Sequence, residues 1–245
     1  MNQGEVDLWA VHLGAGLDAL AFLSETLSPD ERERAQNFLF EKHRKYFIVG
    51  RGLLRAILGQ YLQQPPAQLH FCYGVNGKPT LCVGGVPQLH FSLAHSEDCA
   101  VYGISRDSEL GVDIELVREL SDIEAVAKSF FSPEECGDLH SIGLDRRAEA
   151  FLNCWTRKEA YLKATGDGLS VPLDRFRVSL KPGDPASFLK LEGDRYPLSR
   201  WSLRHLVPLN GCIGALAIPT PILNLRKLAF GDAEECLQYL QKPFQ

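Results

Sequence analysis

Asp113 and Glu115 stand two residues apart in Gly111-Val112-Asp113-Ile114-Glu115. Read as a strand, that spacing turns both carboxylates to one face and Val112 and Ile114 to the other. Two carboxylates so close repel unless a cation or a proton lies between them. Paired oxygens suit Mg²⁺, which takes few protein ligands and keeps water or phosphate oxygens for the rest. A solvated strand edge carrying two acids would look the same. Further on, Trp155-Thr156-Arg157-Lys158-Glu159-Ala160-Tyr161-Leu162-Lys163 reads as a helix with Glu159 and Lys163 as i, i+4 neighbours. One reading gives Glu159 to a metal and Lys163 to a phosphate. The other is an ordinary helix ion pair, worth about 0.3–0.5 kcal/mol. Gly77-Lys78-Pro79 is a turn with a cation at its tip, and Phe91-Ser92-Leu93-Ala94-His95-Ser96 brings His95 to a strand end. Either could grip an anion, and either could be structural.

These groups need elements to position them. Val6–Leu13 alternates as a strand. Ser28-Pro29-Asp30-Glu31 is a helix start, with Ser at the N-cap, Pro at N1 and an acid at N3. A helical pattern runs from about Lys42 to Leu62 and stops near Pro65-Pro66. Short strands follow at 68–73, 89–93 and 99–104, separated by Asn76-Gly77-Lys78-Pro79 and Gly84-Gly85. The second half repeats the plan: a strand at Leu110–Leu116, a helix start at Ser132-Pro133-Glu134-Glu135, and a long helix from about Arg146 to Thr165, ending at Gly166. Strands then read at 174–180, 187–191, 200–207 and 211–218. Ser28 and Ser132, Phe47 and Phe151, and Leu58 and Leu162 are each 104 positions apart. This register predicts an internal duplication. The expected fold is α/β (α+β), with two pseudosymmetric halves, each a small sheet packed on a long helix. Residues 1–105 form one half, 106–225 the other, and 226–245 a tail that closes the C-terminal half as a helix. A ligand cleft is expected between the halves.

The 245 residues carry a formal net charge of −5, which disfavours a nucleic-acid binder. Residues 32–55 nevertheless hold seven basic side chains (Arg32, Arg34, Lys42, Arg44, Lys45, Arg51, Arg55) against two acids, Glu33 and Glu41. A local patch of that kind suits a small polyanion or an acidic partner, and equally a solvated helix face. The longest apolar stretch near the C-terminus, Cys212–Ile218, is too short to span a bilayer, and no signal peptide is readable at Met1–Asp7. Seven cysteines without CxxC spacing predict reduced thiols and a cytoplasmic protein.

Taken together and in order, Gly-Lys-Pro, a strand ending in His-Ser, Gly-Val-Asp-Ile-Glu and Trp-x-x-Lys-Glu-Ala-x-x-Lys resemble the Sfp-type 4′-phosphopantetheinyl transferases. The likeness covers roughly residues 28–172, including the basic stretch from Ser28 to Arg44. It implies two pseudosymmetric α/β halves with coenzyme A between them, and transfer of its phosphopantetheine arm to a serine of an apo carrier protein. By this resemblance Asp113, Glu115 and Glu159 hold Mg²⁺. Lys158 and Lys163 face phosphate or pantetheine oxygens, with Lys163 also taken as catalytic. Arg44, Lys78 and His95 grip the nucleotide end, and Gly77 and Pro79 shape the loop near the adenine. Glu135, just after Phe130-Phe131-Ser132, falls where the family has been assigned a general base, although an N3 capping role explains it as well. A monomer is expected, because a duplicated chain completes its own cleft.

Two positions depart from the family pattern. Ala94 stands where a Ser precedes the His, and Glu31 where a basic residue is usual. Against the transferase stand a binder of coenzyme A or carrier protein that has lost catalysis, and a different Mg²⁺-dependent nucleotide enzyme. All three carboxylates are present, and neither GxxxxGK[ST] nor GxGxxG occurs.

Overall fold

The computed structural model describes residues 4–82, 89–118 and 120–242, so the Gly84-Gly85 turn signal lies outside the described residues. In chain order come β1 (Glu5–His12), α1 (Leu17–Thr26), α2 (Pro29–Gln36), α3 (Glu41–Leu62), β2 (Phe71–Tyr73), β3 (Pro79–Leu81), β4 (His90–Ser96) and β5 (Cys99–Ser105). Then follow β6 (Gly111–Leu116), α4 (Ile123–Phe130), α5 (Pro133–His140), α6 (Leu144–Thr165), β7 (Phe176–Val178), β8 (Phe188–Leu191), β9 (Ser202–Leu206), β10 (Cys212–Ile218), β11 (Asn224–Phe230) and α7 (Ala233–Leu240).

The two long helices expected from the sequence are present, each of 22 residues, and each ends on a left-handed residue, Gln63 at φ 53° and Gly166 at φ 77°. α3 packs Leu53, Leu54, Ile57 and Leu58 against Trp9, Val11, Tyr102 and Ile104 of a sheet ordered β11-β1-β5-β4. α6 packs Phe151, Cys154 and Leu162 against Ile213, Ala215 and Ala217 of a sheet ordered β6-β10-β9. The opposite faces meet: Val6, Leu8, Ala10 and Val101 of the first sheet pack on Val112, Ile114, Leu216 and Ile218 of the second. Strand alternation thus feeds two apolar layers from one strand. Each fully buried Leu or Ile is worth roughly 1.5–3 kcal/mol relative to exposure.

The seam between the sheets is made by side chains. Val112 N–H donates to Ser92 Oγ at 3.1 Å and Leu116 N–H to Ser96 Oγ at 3.2 Å. Gly111 is required by close approach, since a Cβ there would lie 1.9 Å from the Ala160 carbonyl oxygen of α6.

The duplication extends to buried charge. α2 and α5 each have eight residues, begin Ser-Pro, and place a buried Glu at N3 that accepts from the N-cap N–H: Glu31 from Ser28 at 3.0 Å, Glu135 from Ser132 at 2.9 Å. Glu31 pairs with buried Arg55 at 2.6 Å and Glu135 with buried Lys158 at 2.8 Å. Arg55 donates to the carbonyls of Pro66 and Leu69, and Lys158 to those of Leu173 and Phe176. Arg55 lies over Phe71 and Lys158 over Phe176. The same device ties each long helix to the segment that follows it.

Two expectations need correction. Cys72 and Cys82 form a disulfide across the β2–β3 hairpin, with Cα atoms 5.2 Å apart, so five cysteines rather than seven are free thiols. The turn at Asn76-Gly77 folds the two positions together, which spacing alone did not reveal. The C-terminal segment does contain a helix, but it closes the N-terminal half. β11 pairs parallel with β1, and Phe230 stacks on Trp9 at 5.9 Å and meets Tyr239 of α7 at 5.3 Å. Arg226 Nε donates to buried Asp7 Oδ1 at 2.8 Å, and Asp7 also accepts from the Tyr61 hydroxyl of α3. Among the described residues, no helix is long and apolar enough to cross a membrane.

Candidate active site

A cavity of about 890 Å³ opens between the halves. Its walls come from α3 (His43, Tyr46, Phe47, Arg51), the β2–β3 turn (Asn76, Gly77, Lys78, Pro79), β4 (Phe91 to His95) and the C-terminal part of α6 (Glu159, Leu162, Lys163). The β2–β3 turn is clamped to the other half. Asn76 Nδ2 donates to the carbonyls of Gly166 and Asp167 at 3.0 and 2.7 Å. Lys78 Nζ reaches Glu109 Oε2 at 2.6 Å and the Ala164 carbonyl, in the last turn of α6, at 3.4 Å. A cation there also meets the negative end of the helix. Gly77, at φ 76°, makes the turn possible.

Of the three acids only Glu159 lines this cavity, beside Lys163; Asp113 and Glu115 lie behind that wall and are not among its lining residues. Asp113, on β6, is buried and bonds through Oδ1 to Lys163 Nζ at 2.6 Å. Its other oxygen, Oδ2, is buried without a hydrogen-bond partner. Burial pushes the Asp113 carboxyl up to about 6, with Glu115 and Glu159 adding to the rise and Lys163 opposing it. Burial likewise raises Glu159, with Glu115 adding and Lys163 opposing. Glu115, two residues along β6, accepts from Ser96 Oγ at 2.8 Å. Loss of hydration and the nearby Lys163 hold the His95 imidazole below its ordinary range, against the pull of Glu115. The side chains of Asp113, Glu115, Glu159, Lys163 and His95 therefore act on one another electrostatically, although they come from three elements. The oxygens of the three carboxylates do not all lie within 4.8 Å of one another; Lys163 holds Asp113 and Ser96 holds Glu115. A hard, oxygen-only donor set with an orphaned buried oxygen fits Mg²⁺.

Three expected site residues lie elsewhere. Lys158 is fully buried on the other side of α6, bound to Glu135 and two backbone carbonyls, so it faces no ligand. Residues 158 and 159 are adjacent on a helix and point about 100° apart, and here Glu159 faces the cavity while Lys158 faces the core. Glu135 is fully buried as well, its oxygens taken by Ser132 N–H, Val178 N–H and Lys158. In this arrangement Glu135 is not among the residues that line the cavity. Arg44 is exposed on α3 and outside the cavity wall, whereas Arg34, His43 and Arg51 are in it.

Glu109 and Ser96 contribute without having been singled out. Burial pushes the Glu109 carboxyl up, but hydrogen bonds and charge from His90 and Lys78 outweigh that and bring it down to about 2. Its link to Lys78 spans 31 positions and left no local signal in the sequence.

Residues 109–216 match the family described as the 4′-phosphopantetheinyl transferase superfamily, and residues 16–105 match the family described as 4′-phosphopantetheinyl transferase, N-terminal. The chain is 41% identical to the 4′-phosphopantetheinyl transferase HetI of a Nostoc species over 87% of each chain. It is 33% identical to the 4′-phosphopantetheinyl transferase Sfp of Bacillus subtilis over 63% of this chain and 66% of that one. With both halves matched by the family and the duplicated α/β fold in place, the chain belongs to the Sfp-type 4′-phosphopantetheinyl transferases and is an enzyme of that activity.

Proposed function

We propose that the enzyme moves 4′-phosphopantetheine from coenzyme A to a serine of an apo acyl- or peptidyl-carrier protein, with Mg²⁺, and releases 3′,5′-ADP. The observation that carries this reading is the electrostatic coupling of the Asp113, Glu115 and Glu159 carboxylates with Lys163 and His95, of which Glu159, Lys163 and His95 line the cavity between the halves. Asp113, Glu115 and Glu159 would hold the Mg²⁺, and Asp113 Oδ2 has no other partner to lose. Bound there, the ion would offset the charge of the pyrophosphate and of the leaving 3′,5′-ADP.

The rest falls to the chain itself. Phosphoryl transfer asks a protein mainly for positioning and charge stabilisation. Lys163 and Lys78 bring ammonium groups to the cavity wall, and Arg34 a guanidinium. His95, held below its ordinary range, is neutral at pH 7 and offers phosphate an N–H. Tyr46, Phe47 and Phe91 give a flat apolar wall suited to a purine, with Gly77 and Pro79 shaping the turn beside it. The serine hydroxyl then attacks the β-phosphorus, its proton passing to solvent water, a P–O bond forms, and the bond to the bridging oxygen of 3′,5′-ADP breaks. The same reading makes the enzyme a monomer, since one chain supplies both walls of the cavity.

The test is intact-mass spectrometry of an apo carrier protein incubated with the enzyme, coenzyme A and Mg²⁺. We expect a gain of one phosphopantetheine, abolished by EDTA and restored by excess Mg²⁺. Transfer that persists unchanged in EDTA would remove the metal from the reading.

A further inference from the structure

At the C-terminal end of β1, beside the turn that follows the Glu115 partner Ser96, three different metal-binding side chains meet. β1 and β5 pair antiparallel with His12 opposite Cys99. Asp98 belongs to the two-residue turn between Ser96 and Cys99, which joins β4 to β5. The Asp98 carbonyl accepts from Leu13 N–H at 2.6 Å, which fixes the turn against the end of β1. His12 Nδ1 lies 3.5 Å from Asp98 Oδ2 and 3.5 Å from Cys99 Sγ, and Cys99 Sγ lies 3.7 Å from Asp98 Oδ1. Among the described residues, this is the group of three His, Cys, Asp or Glu ligand atoms that all lie within 4.8 Å of one another.

We propose that His12, Asp98 and Cys99 form a second metal site, built for Zn²⁺ rather than Mg²⁺, with an open fourth position.

The separations support this. Zinc bonds of about 2.0–2.1 Å to nitrogen, 2.3 Å to sulfur and 2.0–2.2 Å to oxygen, set at tetrahedral angles, put the ligand atoms roughly 3.3–3.7 Å apart. The His12 Nδ1–Cys99 Sγ separation of 3.5 Å falls in that range, and Asp98 offers Oδ2 at 3.5 Å from His12 and Oδ1 at 3.7 Å from Cys99, so a small turn of its carboxylate would complete the set from ligand atoms that already lie within 4.8 Å of one another. The donor set selects the ion. A thiolate and an imidazole suit zinc, whereas Mg²⁺ prefers oxygens only. Access is provided, because the His12 and Asp98 side chains are 35% and 46% exposed while Cys99 is buried beneath them. Burial, with contributions from Cys212 and Asp98, holds the Cys99 thiol well above its ordinary range, so binding would form the S–Zn bond and release the thiol proton to solvent. The neighbouring turn residue Glu97, at φ 52°, lines the coenzyme cavity and pairs with Lys42 and Arg118 at 3.7 Å each. A metal here would therefore stiffen one rim of that cavity.

The test uses the full chain, reduced and freed of metal by chelation, titrated with Co²⁺ and then Zn²⁺. We expect one equivalent of Co²⁺ with a thiolate-to-cobalt charge-transfer band, displaced by Zn²⁺. Cys99→Ser should abolish the band. His12→Gln, a substitution at a half-exposed position that should fold, should weaken Zn²⁺ binding by at least about tenfold. Asp113→Asn should leave the band intact, which separates this site from the carboxylates. Zn²⁺ at a hundredfold excess over its Kd should raise the Tm of the wild type by several degrees and that of His12→Gln by less. Absence of the charge-transfer band, or equal Zn²⁺ affinity in His12→Gln, would overturn the proposal.

Discussion

Asp113 shows how one carboxylate can be costly to the fold and useful to the site. Its burial, its unpartnered Oδ2 and the repulsion of two neighbouring acids all oppose ionisation, and Lys163 is the nearby charge that offsets them. Asp113→Asn should lower the transfer rate at least about a hundredfold through loss of a metal ligand. It should not lower Tm, because a neutral amide is cheaper to bury beside Glu115 and Glu159 than a third carboxylate, which offsets the loss of the half-exposed Lys163 pair. A rate near that of the wild type would remove Asp113 from the site. Glu109 works in the opposite sense. Its carboxyl lies at about 2 in the folded protein against 4.5 as a free side chain, so its contribution is present above pH 4.5 and lost as pH falls toward 2. Its side chain is 45% exposed, so solvent screening limits the effect to under about 1 kcal/mol. Urea unfolding of Glu109→Gln should show that deficit at pH 7 and a smaller one at pH 3.

At the scale of elements, the paired buried ion pairs decide what Glu135 and Lys158 do. Glu31 and Arg55 repeat the same capping, the same carbonyl contacts and the same aromatic partner in the half that holds none of the carboxylate cluster. A device that recurs there is structural. Removing one partner leaves an uncompensated buried charge, which typically costs about 3–5 kcal/mol. Glu135→Gln should therefore lose stability of that order in denaturant unfolding while the rate per folded molecule stays near that of the wild type. A collapsed rate with intact stability would return Glu135 to catalysis. The double variant Glu135→Gln, Lys158→Met should recover part of the loss, since no charge is then left buried alone.

Over the whole molecule, the chain ends where it began. β11 lies beside β1, and α7 covers Trp9 and Phe230, so the first and last segments complete the same core. Phe230 is 7% exposed and contacts both Trp9 and Tyr239. Phe230→Ala should cost about 3–5 kcal/mol. The halves also share the apolar layer between the sheets and the Asn76 clamp on the end of α6. Unfolding followed by tryptophan fluorescence and by circular dichroism should therefore shift together in that variant, as one transition.

Much of this was legible in the sequence because it is local. Period and capping marked α3 and α6, period two turned Asp113 and Glu115 to one side, and the repeated register disclosed two similar halves. The motifs named the family because their residue types and order survive without reference to distance. What the sequence left open depended on partners brought together from afar. Lys158 and Glu159 are neighbours in the chain, and only the packing of α6 on its sheet sends one to the core and the other to the cavity. Glu135 carries the same letters as a base or as a cap, and only the fold reveals that Lys158 pairs with it in the core. Cys72 and Cys82 meet because a hairpin folds. His12 and Cys99 meet because β1 and β5 pair in one register. Local patterns fix which elements form and which face each side chain takes, while long-range packing decides which faces are buried, and that burial separates the structural charges from the chemical ones.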